Sequence, residues 1–194
     1  MEHRDALLYD KIKPTLHIRK TVYKPMEDAR MLGSCVEKYA FGKMLDMGTG
    51  TGIQGIIGAK KGCDVTFSDI NQNAVECARE NAKNNGITGK FIVSDVFSDI
   101  KGKFNTITFD PPYLKYRPLL DWRQNPSVHG GTSGREVIDA FLNDYREHVM
   151  KEHVILMVES WWNNFEKDVA RLDAEIVAKQ HYPLLGDIVV LKFA

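Results

Sequence analysis

The feature that most constrains the chain is a glycine turn between a strand-like and a helix-like segment, Leu45-Asp46-Met47-Gly48-Thr49-Gly50-Thr51-Gly52. Lys43–Met47 is a short apolar run. Ile53, Ile56 and Ile57 then recur at helical spacing up to Lys60, and Gly62 can end that helix. Glycines in such a turn permit positive φ and let a ligand approach the backbone. The helix start offers free N–H groups and a positive dipole end, suited to a carboxylate or phosphate. The spacing is GxGxG, because the third glycine of a dinucleotide-type GxGxxG pattern would fall on Ile53. Asp69 lies 21 residues after Gly48, at the end of a second strand, where a carboxylate can accept from ribose hydroxyls. Asp95, in Ser94-Asp95-Val96-Phe97, ends a third strand and can accept from an adenine amino group. Glycine and aspartate are also ordinary turn residues. Three acids at neighbouring strand ends, however, suit a ligand carrying a ribose, an adenine and a positive charge.

The alternation continues along the chain. Residues 64–68 read as the second strand, and Asn71 as the N-cap of a helix with Ala74, Ala78 and Ala82 on its apolar face and Gly86 as its stop. Residues 91–94 and Phe104–Phe109 are the third and fourth strands. A long helix is expected from about Gly134, burying Ile138, Phe141, Leu142, Tyr145 and Val149, with Ser133 and Glu136 spaced as a capping box. The unbroken apolar run 154–158 marks a strand covered on both faces. A helix over 162–172 leads to strands at 175–179 and 188–193, and the tight link through Pro183 and Gly186 predicts that these two pair antiparallel. Repeated βα units with this ending describe an open, mostly parallel sheet with helices on both faces, which binds ligands at the carboxyl ends of its central strands.

A chain of 194 residues suits one α/β domain, taken here as 1–194 with residues 1–40 an arm and helix over the ligand site. Equal numbers of acidic and basic residues argue against a protein dominated by gripping duplex DNA. Cys35, Cys63 and Cys77 show no CxxC spacing and read as free thiols. The histidines show no metal-ligand pattern, and His148 and His153 do not share a helical face. With no apolar leader and no stretch of transmembrane length, the expected location is cytoplasmic, away from membranes.

The fourth strand runs into Asp110-Pro111-Pro112-Tyr113. Two prolines force an extended backbone and donate no hydrogen bonds, leaving a rigid shelf of acceptors. A planar NH2 group held there has its nitrogen aimed in one direction, and accepted hydrogen bonds counter the positive charge that develops when that nitrogen attacks. Tyr113 offers a flat face to a planar group.

At these residues the chain resembles the class I S-adenosylmethionine-dependent methyltransferases that carry (Asn/Asp)-Pro-Pro-(Tyr/Phe). More narrowly, it resembles the release-factor glutamine methyltransferases of the HemK/PrmC group, in their short archaeal and eukaryotic branch. Val22-Tyr23-Lys24-Pro25-Met26-Glu27-Asp28 is similar to that branch's opening motif. Residues 130–137 (GGTSGREV) and the ending Val190-Leu191-Lys192-Phe193 are similar to its later segments. The resemblance implies a Rossmann-like seven-stranded sheet with a C-terminal antiparallel hairpin. It implies S-adenosylmethionine against Glu27, Ala29, Asp46, Gly48, Gly50, Gly52, Asp69, Ile70, Asp95, Val96 and Asp110. Catalysis then falls to Asp110, Pro111, Pro112 and Tyr113, and no metal is expected. Ala29 supplies only its backbone where the branch often has a hydroxyl. Asp110 stands where the glutamine-modifying enzymes usually have Asn, and a carboxylate only accepts unless protonated. The implied substrate is the glutamine of a Gly-Gly-Gln loop in a release factor, and the implied partner a small zinc-ribbon activator. An RNA or DNA amino group, for which Asp at this position is familiar, is the alternative. A non-catalytic cofactor-binding module is a further one, and monomer or homodimer is left open.

Between Tyr113 and Gly131 the chain shows no periodicity, and Lys115, Tyr116, Arg117, Trp122, Arg123 and His129 interleave aromatic and basic groups. This reads equally as a substrate-selecting lid or as a solvated loop anchored by Leu119 and Trp122. Lys11, Lys13, Arg19 and Lys20 read as a solvated arm.

Overall fold

A computed structural model of the chain describes residues 7–115, 127–183 and 186–194. Its strands are β1 (Lys43–Met47), β2 (Asp64–Asp69), β3 (Lys90–Val93), β4 (Phe104–Phe109), β5 (Val149–Ser160), β6 (Glu175–Tyr182) and β7 (Gly186–Phe193). They form one seven-stranded sheet in the order β3-β2-β1-β4-β5-β7-β6. β1 to β5 run parallel, and β7 lies antiparallel to both neighbours. The expected hairpin is present, with β7 rather than β6 carrying the pairing to β5. Ile155, Leu156, Met157 and Val158 have no exposed surface, as a strand covered on both faces requires.

Around the sheet pack α1 (Leu8–Ile12), α2 (Glu27–Tyr39), α3 (Ile53–Lys60), α4 (Gln72–Asn84), α5 (Glu136–Asp144) and α6 (Phe165–Leu172). Asn71 caps α4, its side chain accepting from the Asn73 N–H at 3.0 Å. Met47 of β1 stands beside Ser68 of β2 and Phe109 of β4, and Asp69 beside Val93 of β3. Gly48, Asp69, Ser94 and Asp110 therefore emerge side by side at one edge of the sheet.

Four expectations are corrected. The helix from Gly134 was expected to bury Val149, but α5 ends at Asp144, a 3-10 turn follows over Tyr145–His148, and Val149 begins β5 opposite Phe104. Val149 fits the helical spacing, yet pairing with β4 satisfies its backbone instead. The capping box is half formed. Glu136 Oε1 accepts from the Ser133 N–H at 3.1 Å, while Ser133 Oγ accepts from Arg135 rather than from Glu136. The segment 162–172 is two pieces, a 3-10 turn at Trp161–Asn163 and α6, separated by Asn164 at φ 57°. The N-terminal arm is only partly solvated, since Tyr9 and Ile12 are buried and Arg19 pairs with Glu80 at 2.6 Å.

All three cysteines are free and buried. Among the described residues no helix is long and apolar enough to cross a membrane, and no His, Cys, Asp and Glu cluster could hold a metal.

Behind the sheet edge Arg135 reaches Asp168 at 2.7 Å and Glu159 at 3.5 Å, both carboxylates being fully buried. The two carboxylates share Arg135, and Arg171 adds only a longer contact, to Asp168 at 3.6 Å. Burial first, and then the charge of Asp168, push Glu159 from its ordinary 4.5 up to about 8, against the pull of Arg135. Because the folded value is the higher one, the native state keeps a proton that the unfolded chain has lost. Stability is full below 4.5 and falls as pH rises through about 8. In urea titrations from pH 5 to 8, Glu159→Gln should flatten this decline by up to about 1.4 kcal/mol per pH unit, one proton's worth. An unchanged slope would mean that Glu159 is ionised in the fold.

Candidate active site

The carboxyl ends of β1 to β4 open into one cavity of ≈ 510 Å³. Its walls hold the glycine turn, residues 94–96, residues 110–113 and the start of α2, together with Val137, Tyr182 and Ile188. Six acidic residues are among those that line it, Glu27, Asp28, Asp46, Asp69, Asp95 and Asp110, and among the described lining residues there is no Lys or Arg. Such a cavity favours a cationic ligand and disfavours a phosphate-bearing one.

Gly48, Gly50 and Gly52 all have positive φ, at 62°, 53° and 84°. Gly52 also sits where a Cβ would be 3.0 Å from the Ala78 backbone, which lets α3 and α4 meet. The Asp46 carboxylate turns back into this structure. It accepts from Thr49 Oγ1 at 2.6 Å, the Gly55 N–H at 2.9 Å and Thr108 Oγ1 at 3.2 Å. The carboxyl of Asp46 thus meets one N–H of the first turn of α3, that of Gly55. Burial raises the Asp46 carboxyl to about 7 against those hydrogen bonds.

Asp69 accepts from the Gly50 N–H at 3.0 Å and the Asn71 N–H at 2.9 Å, one bond to each oxygen, so each oxygen keeps a free lone pair. Burial pushes its carboxyl up. Asp95 is exposed at the cavity rim. Val96 beside it has φ 47°, an unfavourable conformation for a β-branched residue. Ser94 holds it there, its Oγ donating to the Val96 carbonyl and accepting from the Asp99 N–H, both at 3.0 Å. Ile70 presents an apolar side chain, 66% exposed, at the cavity mouth. Glu27 and Ala29 line the cavity from α2, and Gln54 Nε2 donates to the Ala29 carbonyl at 2.8 Å.

Asp110 faces the same cavity without a hydrogen-bond donor of its own among the described residues. Burial, and then the charges of Asp28 and Asp46, raise its carboxyl well above the ordinary carboxylate range. Pro111 is buried, and the Tyr113 hydroxyl donates to Asp28 Oδ2 at 2.9 Å. Asp28 also accepts from Tyr23 at 3.3 Å and from the Ala29 N–H at 2.8 Å. The ring of Tyr113 is thereby fixed by α2, from 85 residues away in sequence.

Asp28 is the group that the sequence reading missed. It lies inside the opening motif, but nothing in the spacing says that its carboxylate meets residue 113. Of the loop singled out for aromatic and basic groups, Lys115 and His129 are described, and His129 lines the cavity. Tyr116, Arg117, Leu119, Trp122 and Arg123 lie outside the described residues.

Residues 26–118 match the family described as Methyltransferase small domain. A Methanocaldococcus jannaschii protein, carried provisionally as a protein N5-glutamine methyltransferase, is 36% identical over 148 residues, 75% of each chain. The ribosomal RNA small subunit methyltransferase C of Serratia proteamaculans is 40% identical over 161 residues, 77% of this chain, but the match spans only 46% of that enzyme. Among solved structures, the fold is similar to the E. cuniculi Mtq2–Trm112 complex, responsible for methylation of the eRF1 translation termination factor. Its TM-score is 0.70 at 24% identity, covering 89% of this chain and 98% of that one. Glycine turn, acidic cavity and proline shelf at adjoining strand ends agree with these likenesses: the chain belongs to the class I methyltransferases, in the methyltransferase small-domain family.

Proposed function

We propose that the protein methylates the side-chain amide nitrogen of a glutamine, that of the Gly-Gly-Gln loop of a translation release factor, with S-adenosylmethionine as donor. The observation that carries this reading is the common cavity of the glycine turn and residues 110–113, lined by acids and by no described Lys or Arg. The donor supplies a methyl group on a cationic sulfur, together with a ribose and an adenine. The turn at 48–52 would hold its methionine end, Asp69 the ribose, and Asp95, Val96 and Ile70 the adenine. Residues 22–29 would cover it, with Glu27 and Ala29 beside it.

The acceptor nitrogen would lie against residues 110–113, oriented by the Asp110 carboxylate and the carbonyls that follow, with Tyr113 packed on the amide plane. Transfer would form the new N–C bond as the donor's sulfur–methyl bond breaks, its electron pair staying on sulfur as a neutral thioether, and the nitrogen would release a proton. Asp110, whose affinity for a proton is raised by burial and two neighbouring carboxylates, is placed to take it in its ionised form. Val137 and Ile188, with the ring of Tyr182, add apolar surface to the lining that would fit the aliphatic stem of a glutamine. The Methanocaldococcus relative and the Mtq2–Trm112 neighbour support this substrate, and the neighbour, a complex, also supports a partner subunit, for which the sequence resemblance implies a small zinc-ribbon activator. The second reading is an amino group of an RNA base. Asp110 and the ribosomal RNA methyltransferase relative favour it.

Labelled donor, offered in parallel to purified release factor and to total RNA with and without an activator subunit, separates the two. Label is expected on the release factor and lost when its glutamine is replaced; label in RNA alone would end the glutamine reading. Asp110→Ala should lower transfer on the order of 100-fold or more, the scale of losing a positioned acceptor. Calorimetry should find its donor affinity within about tenfold of wild type, since the interaction it loses acts mainly in the transition state. Undiminished turnover would remove Asp110 from the chemistry.

A further inference from the structure

Asn163 has no exposed surface and is absent from the cavity wall, yet it holds the backbone of the proline shelf. Its Nδ2 donates to the Tyr113 carbonyl at 2.9 Å and to the Gly134 carbonyl at 2.8 Å. Its Oδ1 accepts from the Ser160 N–H at 2.9 Å and from Ser160 Oγ at 2.8 Å. Both hydrogens and both lone pairs are in use, and the partners dictate which end is nitrogen. Ser160 is the last residue of β5, the strand beside β4. Arg135, itself held by Asp168, donates to the Asn163 carbonyl. The side chain therefore sits in a socket built from β5, the turn before α6 and the ion cluster.

The Gly-Gly segment completes the arrangement. A Cβ on Gly134 would lie 2.8 Å from the Tyr113 carbonyl oxygen, and one on Gly130 would overlap the Pro112 carbonyl. Leu114 donates to the Val128 carbonyl and Gly130 to the Leu114 carbonyl, each at 3.0 Å. The carbonyls of Pro112 and Tyr113 are thus occupied or covered from behind, which leaves Asp110 and Pro111 to face an incoming nitrogen.

We propose that Asn163 is a positioning residue for methyl transfer, the pin that ties residues 110–113 to the end of β5 and selects which of their oxygens meet the acceptor. This rests on reading residues 110–113 as the acceptor shelf. It does not depend on which acceptor the enzyme takes.

The comparison is Asn105, which joins segments at the opposite end of the sheet by accepting from Lys43 N–H at 3.1 Å and donating to the Glu152 carbonyl at 3.0 Å. Asn163→Ala should lower kcat at least about 30-fold on whichever acceptor the wild type labels, with the donor Kd within about threefold, as expected for a lost orientation. Asn105→Ala should lower Tm and leave kcat in place. By amide exchange, Leu114 and Gly130 should open about tenfold faster in Asn163→Ala while Gly50 and Gly55 are unchanged, a local loosening that needs no acceptor to observe. Should Asn163→Ala not fold, Asn163→Asp keeps the shape and the Ser160 contacts and reverses only the face toward the two carbonyls. Its kcat relative to wild type should recover on acidification, as the new carboxyl gains a proton to donate, with Arg135, Glu159 and Asp168 as its charged neighbours. The proposal is overturned if kcat falls no further than in Asn105→Ala, if exchange at 114 and 130 is unchanged, or if the Asp variant shows no recovery. Label found in RNA instead of a release factor would change the substrate, and the same ratios would then be read on RNA.

Discussion

The buried carboxylate of Asp46 is the junction on which the site is built. Its three hydrogen bonds join the end of β1 to the glycine turn, the first turn of α3 and the neighbouring strand β4. A helix start carries unpartnered N–H groups and partial positive charge, and in many nucleotide sites these meet a phosphate. Here Asp46 meets one of them, the Gly55 N–H. The turn keeps its open glycine backbone and forms one wall of an acidic cavity.

That acidity shapes the rest of the site. Asp28, Asp46 and Asp110 crowd one corner, and the available donors are unequally shared among them. Tyr113, Tyr23 and the Ala29 N–H satisfy Asp28, and Thr49, Thr108 and Gly55 satisfy Asp46. Asp110 is the member of the three left facing the cavity, and its raised proton affinity follows from burial and from the two charges beside it. A cationic donor would enter a site whose described lining residues include no Lys or Arg.

Behind this front the protein uses buried polar groups as fasteners. Asn163 and the Arg135–Glu159–Asp168 cluster anchor the proline shelf, and Asn81 performs a similar task for the glycine turn by donating to the Thr51 carbonyl at 2.9 Å. Unpaired buried polar groups are costly, so each of these side chains imposes a definite geometry on the backbone it touches.

Much of the architecture was legible because it is written in local periodicity. The apolar runs of β1, β4 and β5, the alanine face of α4 and the punctuation by Gly62 and Gly86 depend only on neighbours in the chain. So do the positive-φ glycines and the Pro-Pro step, whose backbone demands are local. Where the reading failed, at Val149 and across 162–172, pairing with another strand or one left-handed residue overrode a plausible helical spacing. By itself the sequence determined a βα alternation with a GxGxG turn, acids at strand ends and an Asp-Pro-Pro-Tyr shelf. Only the tertiary structure decided that these ends lie side by side, that Asp46 faces inward and that Asp28 holds Tyr113. It also decided that Asn163 clamps the shelf from 50 residues away. Strand register and long-range hydrogen bonds join residues whose separation along the chain carries no periodic mark, so no pattern in the sequence can announce them.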